Sequence, residues 1–265
     1  SGTMRPTPRT LSPSRPACTS GSRCDTGRGR SVWLDNVETP RGRWEWTGYG
    51  QTDRGLVRSS NQDAFLVDNR RRLWAVADGM GGHPGGDVAS RIVMDTLADF
   101  SPSLIRSAVP PGEDQGEQQS FLLTTMAEQA HAAVRAYADH HPPFYGMGTT
   151  LVMAHLLPEP TPRLLVLNVG DSRAYLVRAG RILQLTRDHT LIDDYVRDGR
   201  LTPEQAARHP DRHVLTRAIG LGLVLDSDLF TFEVLTGDLL VLCSDGLTKM
   251  LTDERILEIA HSHKD

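Results

Sequence analysis

Four aspartates at the ends of apolar segments constrain this chain more than any other feature of its sequence. Asp63 begins one such segment, Asp78 ends the next, and Asp171 and Asp245 each follow a further one. A carboxylate buried without a partner is costly, so several that meet at the rim of a core require cations between them. Oxygen ligands without His or Cys favour magnesium or manganese over zinc. The set therefore predicts a β-rich core with such a metal site at its rim.

The spacing of apolar residues changes along the chain from strand-like to helical and back. Residues 63–68 and 73–77 predict a hairpin, and helical spacing follows over 86–100 and about 119–139, with a loop over 101–116. The later segments predict an antiparallel meander over 149–155, 163–169, 173–177 and 182–185, a hairpin over 229–234 and 239–243, and a helix over 253–260. This order favours antiparallel sheets covered by helices, an α+β fold, over alternating βαβ units.

Composition excludes several classes of protein. The chain has 265 residues, 38 % apolar content and a formal net charge of −4, which suits a soluble globular domain. Mild acidity excludes nonspecific nucleic-acid binding, which depends on Lys and Arg. No apolar run approaches the length of a membrane-spanning helix, so we expect no membrane segment. The three cysteines, Cys18, Cys24 and Cys243, do not make a disulfide framework and indicate a reducing, cytoplasmic location. We expect a monomer.

The N-terminal segment, residues 1–43, differs in composition from the rest. It is rich in Ser, Pro, Gly and Arg, so it cannot bury enough apolar surface to offset its ordering entropy. We predict a disordered extension, with order beginning near Trp44. Ser1 to Thr3, before Met4, resemble a cloning scar. A transit peptide is an alternative, but the prolines and glycines oppose the amphipathic helix that it would need.

The aspartates stand within a series of motifs that, taken together, identify a family. The sequence Ala-Asp-Gly-Met-Gly-Gly-His at 77–83 is one of them, and the others lie at 52–63, 146–150, 168–175, 185–189, 215–220, 237–238 and 243–248. In this order they resemble the PPM (type 2C) family of metal-dependent protein phosphatases, with the Gly-Met-Gly-Gly-His form of the bacterial branch. The resemblance extends from about residue 46 to the end, which makes 44–265 the predicted phosphatase domain.

The resemblance implies a four-layer α-β-β-α sandwich that hydrolyses phosphoserine and phosphothreonine in proteins. The attacking water would bridge two manganese or magnesium ions. Asp78 is similar to the bridging ligand, with the Gly79 carbonyl on one metal. Asp63 is similar to an acidic residue that acts through metal-bound water, and Asp245 to the ligand of the other metal. Arg58 stands where the family binds phosphate, so Arg58, Asp63 and Asp78 form the implied catalytic set.

Further implications concern the border of the site and the partners. Asp171 is similar to a residue that helps to hold a third metal in many bacterial members. Residues 187–217 correspond to a variable flap that shapes substrate access. Some members carry a histidine where Met80 stands, so the general acid is unassigned here. The implied partners are phosphorylated proteins, a Ser/Thr kinase and the substrates of that kinase.

One motif of the family is missing. Members end with Gly-x-x-Asp-Asn on a final strand, and that aspartate is a metal ligand, but the sequence contains no such motif after Asp245. We therefore expect a truncated domain without one inner strand and one carboxylate. A fragment without activity, or a phosphatase-like module that binds without turnover, are alternatives. A Gly-Asp-Ser esterase with Ser172 as nucleophile is another, although a tight turn also explains that tripeptide.

Overall fold

The computed structural model describes residues 31–38, 44–56, 60–80, 85–106, 115–157 and 162–262. Within these ranges ten strands form two antiparallel sheets. The strands are β1 (Ser31–Glu38), β2 (Trp44–Gln51), β3 (Asp63–Asp68), β4 (Leu73–Asp78), β5 (Leu151–Leu157), β6 (Arg163–Val169), β7 (Arg173–Arg178), β8 (Arg181–Gln184), β9 (Asp228–Glu233) and β10 (Leu239–Cys243). The helices are α1 (Gly86–Phe100), α2 (Ser103–Arg106), α3 (Gln115–His140), α4 (Leu191–Arg197), α5 (Pro203–Ala206), α6 (Asp245–Thr248) and α7 (Asp253–Ser262).

The two sheets pack face to face and carry helices on their outer faces. The first sheet has the order β2-β1-β10-β7-β8 and the second β3-β4-β5-β6-β9. In β4, Trp74 and Val76 face the core between the sheets, while Leu73, Ala75 and Ala77 face the core shared with α1 and α3. A strand covered on both faces is apolar at every position, because its side chains alternate between the faces. Helix α7 covers the outer face of the first sheet. The predicted four-layer α+β sandwich is confirmed.

Strand β1 corrects the prediction that order begins near Trp44. It lies within the predicted disordered segment, yet it pairs with β10 over five residues and with β2 over eight. Val32 is fully buried between the sheets. The composition of the whole segment concealed a short apolar run, Val32 to Leu34, within Ser31–Glu38. Residues 1–30 and 39–43, including the proposed cloning scar, lie outside the described residues.

The same strand bears on the predicted gap in the sheet. We expected one inner strand to be missing, but β1 fills the inner position between β2 and β10. In the described part of the chain the last element is α7, and no strand follows it.

Three other boundaries differ from the sequence predictions. The predicted hairpin over 229–234 and 239–243 is wrong, because β9 joins the second sheet and β10 the first. The predicted meander is likewise divided between β6 and β7, where the chain crosses from one sheet to the other. Turn signals mark both connections but do not reveal that the strands separate. The predicted loop over 101–116 contains α2 and the start of α3. Even α3, with 26 residues, is not apolar enough to span a membrane, and neither is any other described helix.

Burial of Val32 provides a test of β1. We expect Val32→Ser to lower the free energy of unfolding by about 2–3 kcal/mol, because it removes a buried apolar side chain and buries a hydroxyl in its place. Urea unfolding followed by circular dichroism measures the change. Val214→Ser is the control: Val214 is 46 % exposed, so its effect should stay below about 0.5 kcal/mol. Equal effects of the two substitutions would show that β1 is not part of the sheet in solution.

Candidate metal centre

Asp63 and Asp78 lie side by side at one rim of the second sheet. They are direct register partners in the antiparallel pair β3 and β4. The hydroxyl of Ser244, which directly follows β10 of the first sheet, donates a hydrogen bond of 3.1 Å to Asp63 Oδ2. Ser244 stands at the N-cap position of α6 but makes no capping bond with its side chain. Its hydroxyl therefore links the two sheets at the aspartate pair instead of capping its own helix.

Asp171 and Asp245 complete the cluster from the other side. Asp171 lies in the crossover from β6 to β7, and Asp245 is the first residue of α6. Burial first, then the negative charges of Asp63, Asp245 and Asp171 and a side-chain hydrogen bond with Asp63, together raise the pKa of Asp78 from 3.8 to about 9. Burial, together with the charges of Asp245 and Asp188, raises the pKa of Asp171 to about 6. The structure therefore brings together the four aspartates predicted from the sequence and concentrates negative charge among them.

Gly79 must be a glycine because two backbone segments meet there. A Cβ atom at this position would lie 2.1 Å from the carbonyl oxygen of Gly86, the first residue of α1. The Gly79 N–H donates to the carbonyl of Gln62 at 3.0 Å, and Met80 N–H donates to the carbonyl of Gly148 at 3.0 Å. These contacts fix the backbone directly after Asp78, where the resemblance implies that the Gly79 carbonyl is a metal ligand.

A second contact set holds Asp78 from the neighbouring strand. Its N–H donates to Thr150 Oγ1 at 2.9 Å, and the Thr150 N–H donates to the Asp78 carbonyl at 2.9 Å. Thr150 Oγ1 also lies 2.7 Å from Ser172 Oγ. Ser172 is fully buried, so its hydroxyl serves to support Asp78 and is not accessible to an ester. This does not support the esterase alternative.

The donor chemistry of the cluster fits a hard divalent cation. Carboxylate oxygens are the ligands that magnesium and manganese prefer. Among the described residues no group of three or more His, Cys, Asp or Glu side chains is already closed around a common point. The four carboxylates of the rim nevertheless have the type of donor that such a cation needs.

The predicted flap borders this cluster. It contains the short helices α4 and α5. Asp188 is anchored to β7 by Arg173, whose Nε and Nη2 donate to both carboxylate oxygens at 2.6–3.0 Å. At Gly170 and His189, each N–H donates to the other residue, at 3.0 and 3.1 Å. A cleft of about 350 Å³ lies between the flap, Asp171 and Asp245. The flap is thus hydrogen-bonded through His189 to Gly170, the residue that directly precedes Asp171.

Lys249 was not among the site residues predicted from the sequence, and the role predicted for Arg58 stays a prediction. The ammonium group of Lys249 pairs with Asp245 Oδ2. The spacing of four residues at the start of a short helix was the signal that could have revealed this pair. Arg58, the implied phosphate ligand, lies outside the described residues, as do Gly81, Gly82 and His83.

The raised pKa of Asp78 predicts how pH affects stability without metal. The folded protein binds a proton that the unfolded chain releases above pH 3.8. The contribution of the protonated Asp78 carboxyl group to the free energy of unfolding is fully present below pH 3.8 and is lost progressively as pH rises to about 9. The amide of Asp78→Asn does not titrate, so with chelator present this variant should not lose stability at position 78 as pH rises. We therefore expect its melting temperature to exceed that of the wild type by about 2–6 °C near pH ~8.5 and by less near pH ~5.

The control for this measurement is Asp99→Asn, which removes the same charge from an exposed position on α1. It should change the melting temperature little at either pH. Parallel pH profiles for Asp78→Asn and the wild type, measured by differential scanning fluorimetry, would contradict the charge repulsion inferred at the rim.

Comparison with known proteins shows where this architecture belongs. The sequence pattern of the family described as protein phosphatase 2C matches residues 48–263. The serine/threonine phosphatase stp of Listeria innocua is 36 % identical over 217 residues, which cover 81 % of this chain and 82 % of that protein. The serine/threonine protein phosphatase PstP of Mycobacterium tuberculosis is 38 % identical over 208 residues, 78 % of this chain. The chain spans only 37 % of the length of PstP.

Solved structures agree with the sequence comparison. The crystal structure of Mycobacterium tuberculosis PstP/Ppp superposes with a TM-score of 0.66 at 39 % identity, covering 78 % of this chain and 81 % of that chain. A structure of the catalytic domain of PstP in complex with two manganese ions gives a TM-score of 0.63 at 34 % identity, with coverage of 86 % and 84 %. The chain belongs to the protein phosphatase 2C family.

Proposed function

We propose that this chain hydrolyses phosphoserine and phosphothreonine in proteins with the help of two manganese or magnesium ions. The observation that carries the proposal is the convergence of Asp63, Asp78, Asp171 and Asp245 from two sheets on one half-buried rim. Family membership supports it, as do the names of the relatives, which are serine/threonine phosphatases. The manganese-bound PstP domain supports the choice of metal.

The residues of the chain have distinct tasks in this reaction. Asp78 and the Gly79 carbonyl would hold one ion, on which Asp63 would act through metal-bound water. Asp78 would be shared with the other ion, which Asp245 would also hold. When bound, the two ions supply a water that is nucleophilic at neutral pH and stabilise charge on the phosphoryl oxygens. The hydrogen bond from Ser244 orients Asp63. Arg58 would grip the phosphate, because a planar guanidinium can donate two parallel hydrogen bonds to it.

Support around Asp78 determines how well the centre is organised. Thr150 makes hydrogen bonds to both the N–H and the carbonyl of Asp78, and the hydroxyl of Ser172 makes a hydrogen bond to that of Thr150. Metal sites depend on such outer contacts to orient their ligands. Asp171 lies at the border of the cleft, where it would help to hold a third ion. The flap, tied to β7 through Asp188, would shape access for the substrate.

The proposal extends to partners and location. Phosphorylated proteins are the substrate class, and a Ser/Thr kinase acting on the same proteins would be the functional opponent. The family membership of the chain supports this pairing, since a phosphatase requires an enzyme that supplies its substrate. The sparse cysteines support a reducing, cytoplasmic location. We also propose that the chain acts as a monomer.

The decisive assay follows phosphate release from para-nitrophenyl phosphate and from a phosphothreonine peptide. We expect turnover with manganese, no turnover with chelator, and a loss of about 100-fold or more in kcat/KM for Asp78→Asn, because that carboxylate is the shared ligand. Asp99→Asn, exposed and distant from the rim, should keep wild-type activity.

A silent chain requires one further experiment. The same assay on a chain extended to include a Gly-x-x-Asp-Asn strand tests whether the aspartate of that motif is needed. Recovery of manganese-dependent turnover would support the proposed reaction, whereas continued silence with intact folding would favour the phosphatase-like binding module.

A further inference from the structure

We propose that Lys249 is a built-in counter-cation of Asp245 that competes with the divalent ion for this carboxylate. In the metal-free protein its ammonium group neutralises Asp245, and it must leave before the carboxylate can close around an ion. Lys249 would thereby set the metal affinity on this side of the centre. The inference rests on the proposed metal-dependent function, since it concerns the ion that Asp245 would hold.

The first argument is the position of Lys249 on the backbone. Lys249 directly follows α6, and its N–H donates to the Asp245 carbonyl at 2.9 Å. The two side chains therefore start one helical turn apart on the same face, and the ammonium group contacts Asp245 Oδ2. The charge of Lys249 also lowers the pKa of Asp171 against the stronger effect of burial. Its ammonium group thus acts on two of the four clustered carboxylates.

The second argument is that this ion pair can open. The side chain of Lys249 is 41 % exposed, while that of Asp245 is 19 % exposed. Lys249 lines the cleft of about 350 Å³ under the flap, so a released ammonium group can turn into solvent without crossing the core. Opening costs little because the Lys249 side chain is already partly exposed to solvent.

The third argument is the residue type. Lysine is rare in this sequence: apart from Lys249 and Lys264, every Lys or Arg position is an arginine. An ammonium group makes single, hydrated contacts from a flexible stem, whereas a guanidinium makes planar paired contacts. The same cleft contains the contrasting case: Arg173 holds both oxygens of Asp188. Asp188 is therefore locked, and Asp245 is held by a cation that can depart.

The alternative is an ordinary surface ion pair without influence on the metal. Manganese titration by isothermal calorimetry separates the two interpretations, using Lys249→Met, which keeps the length and removes the charge. We expect one manganese site to bind about three- to tenfold more tightly in this variant, the range that a partly exposed ion pair allows. Arg212→Met is the matched control, because Arg212 lines the same cleft and its guanidinium donates to the carbonyl of His209. It removes an equal charge.

Lysine reactivity gives an independent measurement that does not depend on a variant. Brief acetylation followed by peptide mass spectrometry quantifies modification at Lys249 and at Lys264, which serves as the internal reference. We expect manganese to raise the acetylation of Lys249 at least about twofold relative to Lys264, because the amine then leaves its carboxylate. Magnesium should act in the same direction.

Each outcome bears on the proposal. Tighter manganese binding by Lys249→Met than by Arg212→Met, with metal-dependent acetylation of Lys249, would support it. Equal affinities in the wild type and both variants, or acetylation that manganese leaves unchanged, would overturn it while leaving the proposed phosphatase intact. Manganese binding to none of the three proteins would overturn both proposals.

Discussion

Repulsion among four half-buried aspartates is the constraint on which the rest of this site depends. The chain answers it differently at each position. Asp78 is driven towards its protonated form, with a pKa of about 9, Asp63 accepts a hydroxyl hydrogen bond from Ser244, and Asp245 pairs with Lys249. The proton and the ammonium group are partners that a divalent cation would replace, whereas the hydroxyl of Ser244 can continue to orient Asp63 when an ion is bound.

The carboxylates come from both sheets, so the rim is also where the two layers are joined. Asp63 and Asp78 belong to the second sheet, Asp245 follows a strand of the first, and Asp171 lies where the chain crosses between them. Ions held between these carboxylates would connect the layers at a point where the apolar core ends. Binding free energy gained only in the folded state adds to stability. Metal binding at the charged rim would therefore also stabilise the packing of the two sheets.

Local patterns revealed much of this, and long-range pairing did not. The hairpin β3–β4 and the strand β6 were predictable because their apolar runs and turns lie within a few residues. The four aspartates followed from their places at strand ends. The separation of β9 from β10 was not predictable, because a turn signal does not state which sheet each strand joins. Lys249 was missed because a single Lys four residues after an Asp is an ordinary helical pair until the crowding around Asp245 is known.

Strand β1 shows why composition is a poor guide to the border of a domain. It follows a long polar segment, and yet it holds an inner position, where both of its edges are hydrogen-bonded. Among the described strands β2 pairs with β1 alone. β2 leads towards Asp63, and β10, the other neighbour of β1, ends directly before Ser244 and Asp245. Strand β1 therefore supports the strand that carries Ser244 and Asp245 to the rim. A segment whose composition predicted a disordered extension is thus part of the sheet that supplies one side of the metal centre.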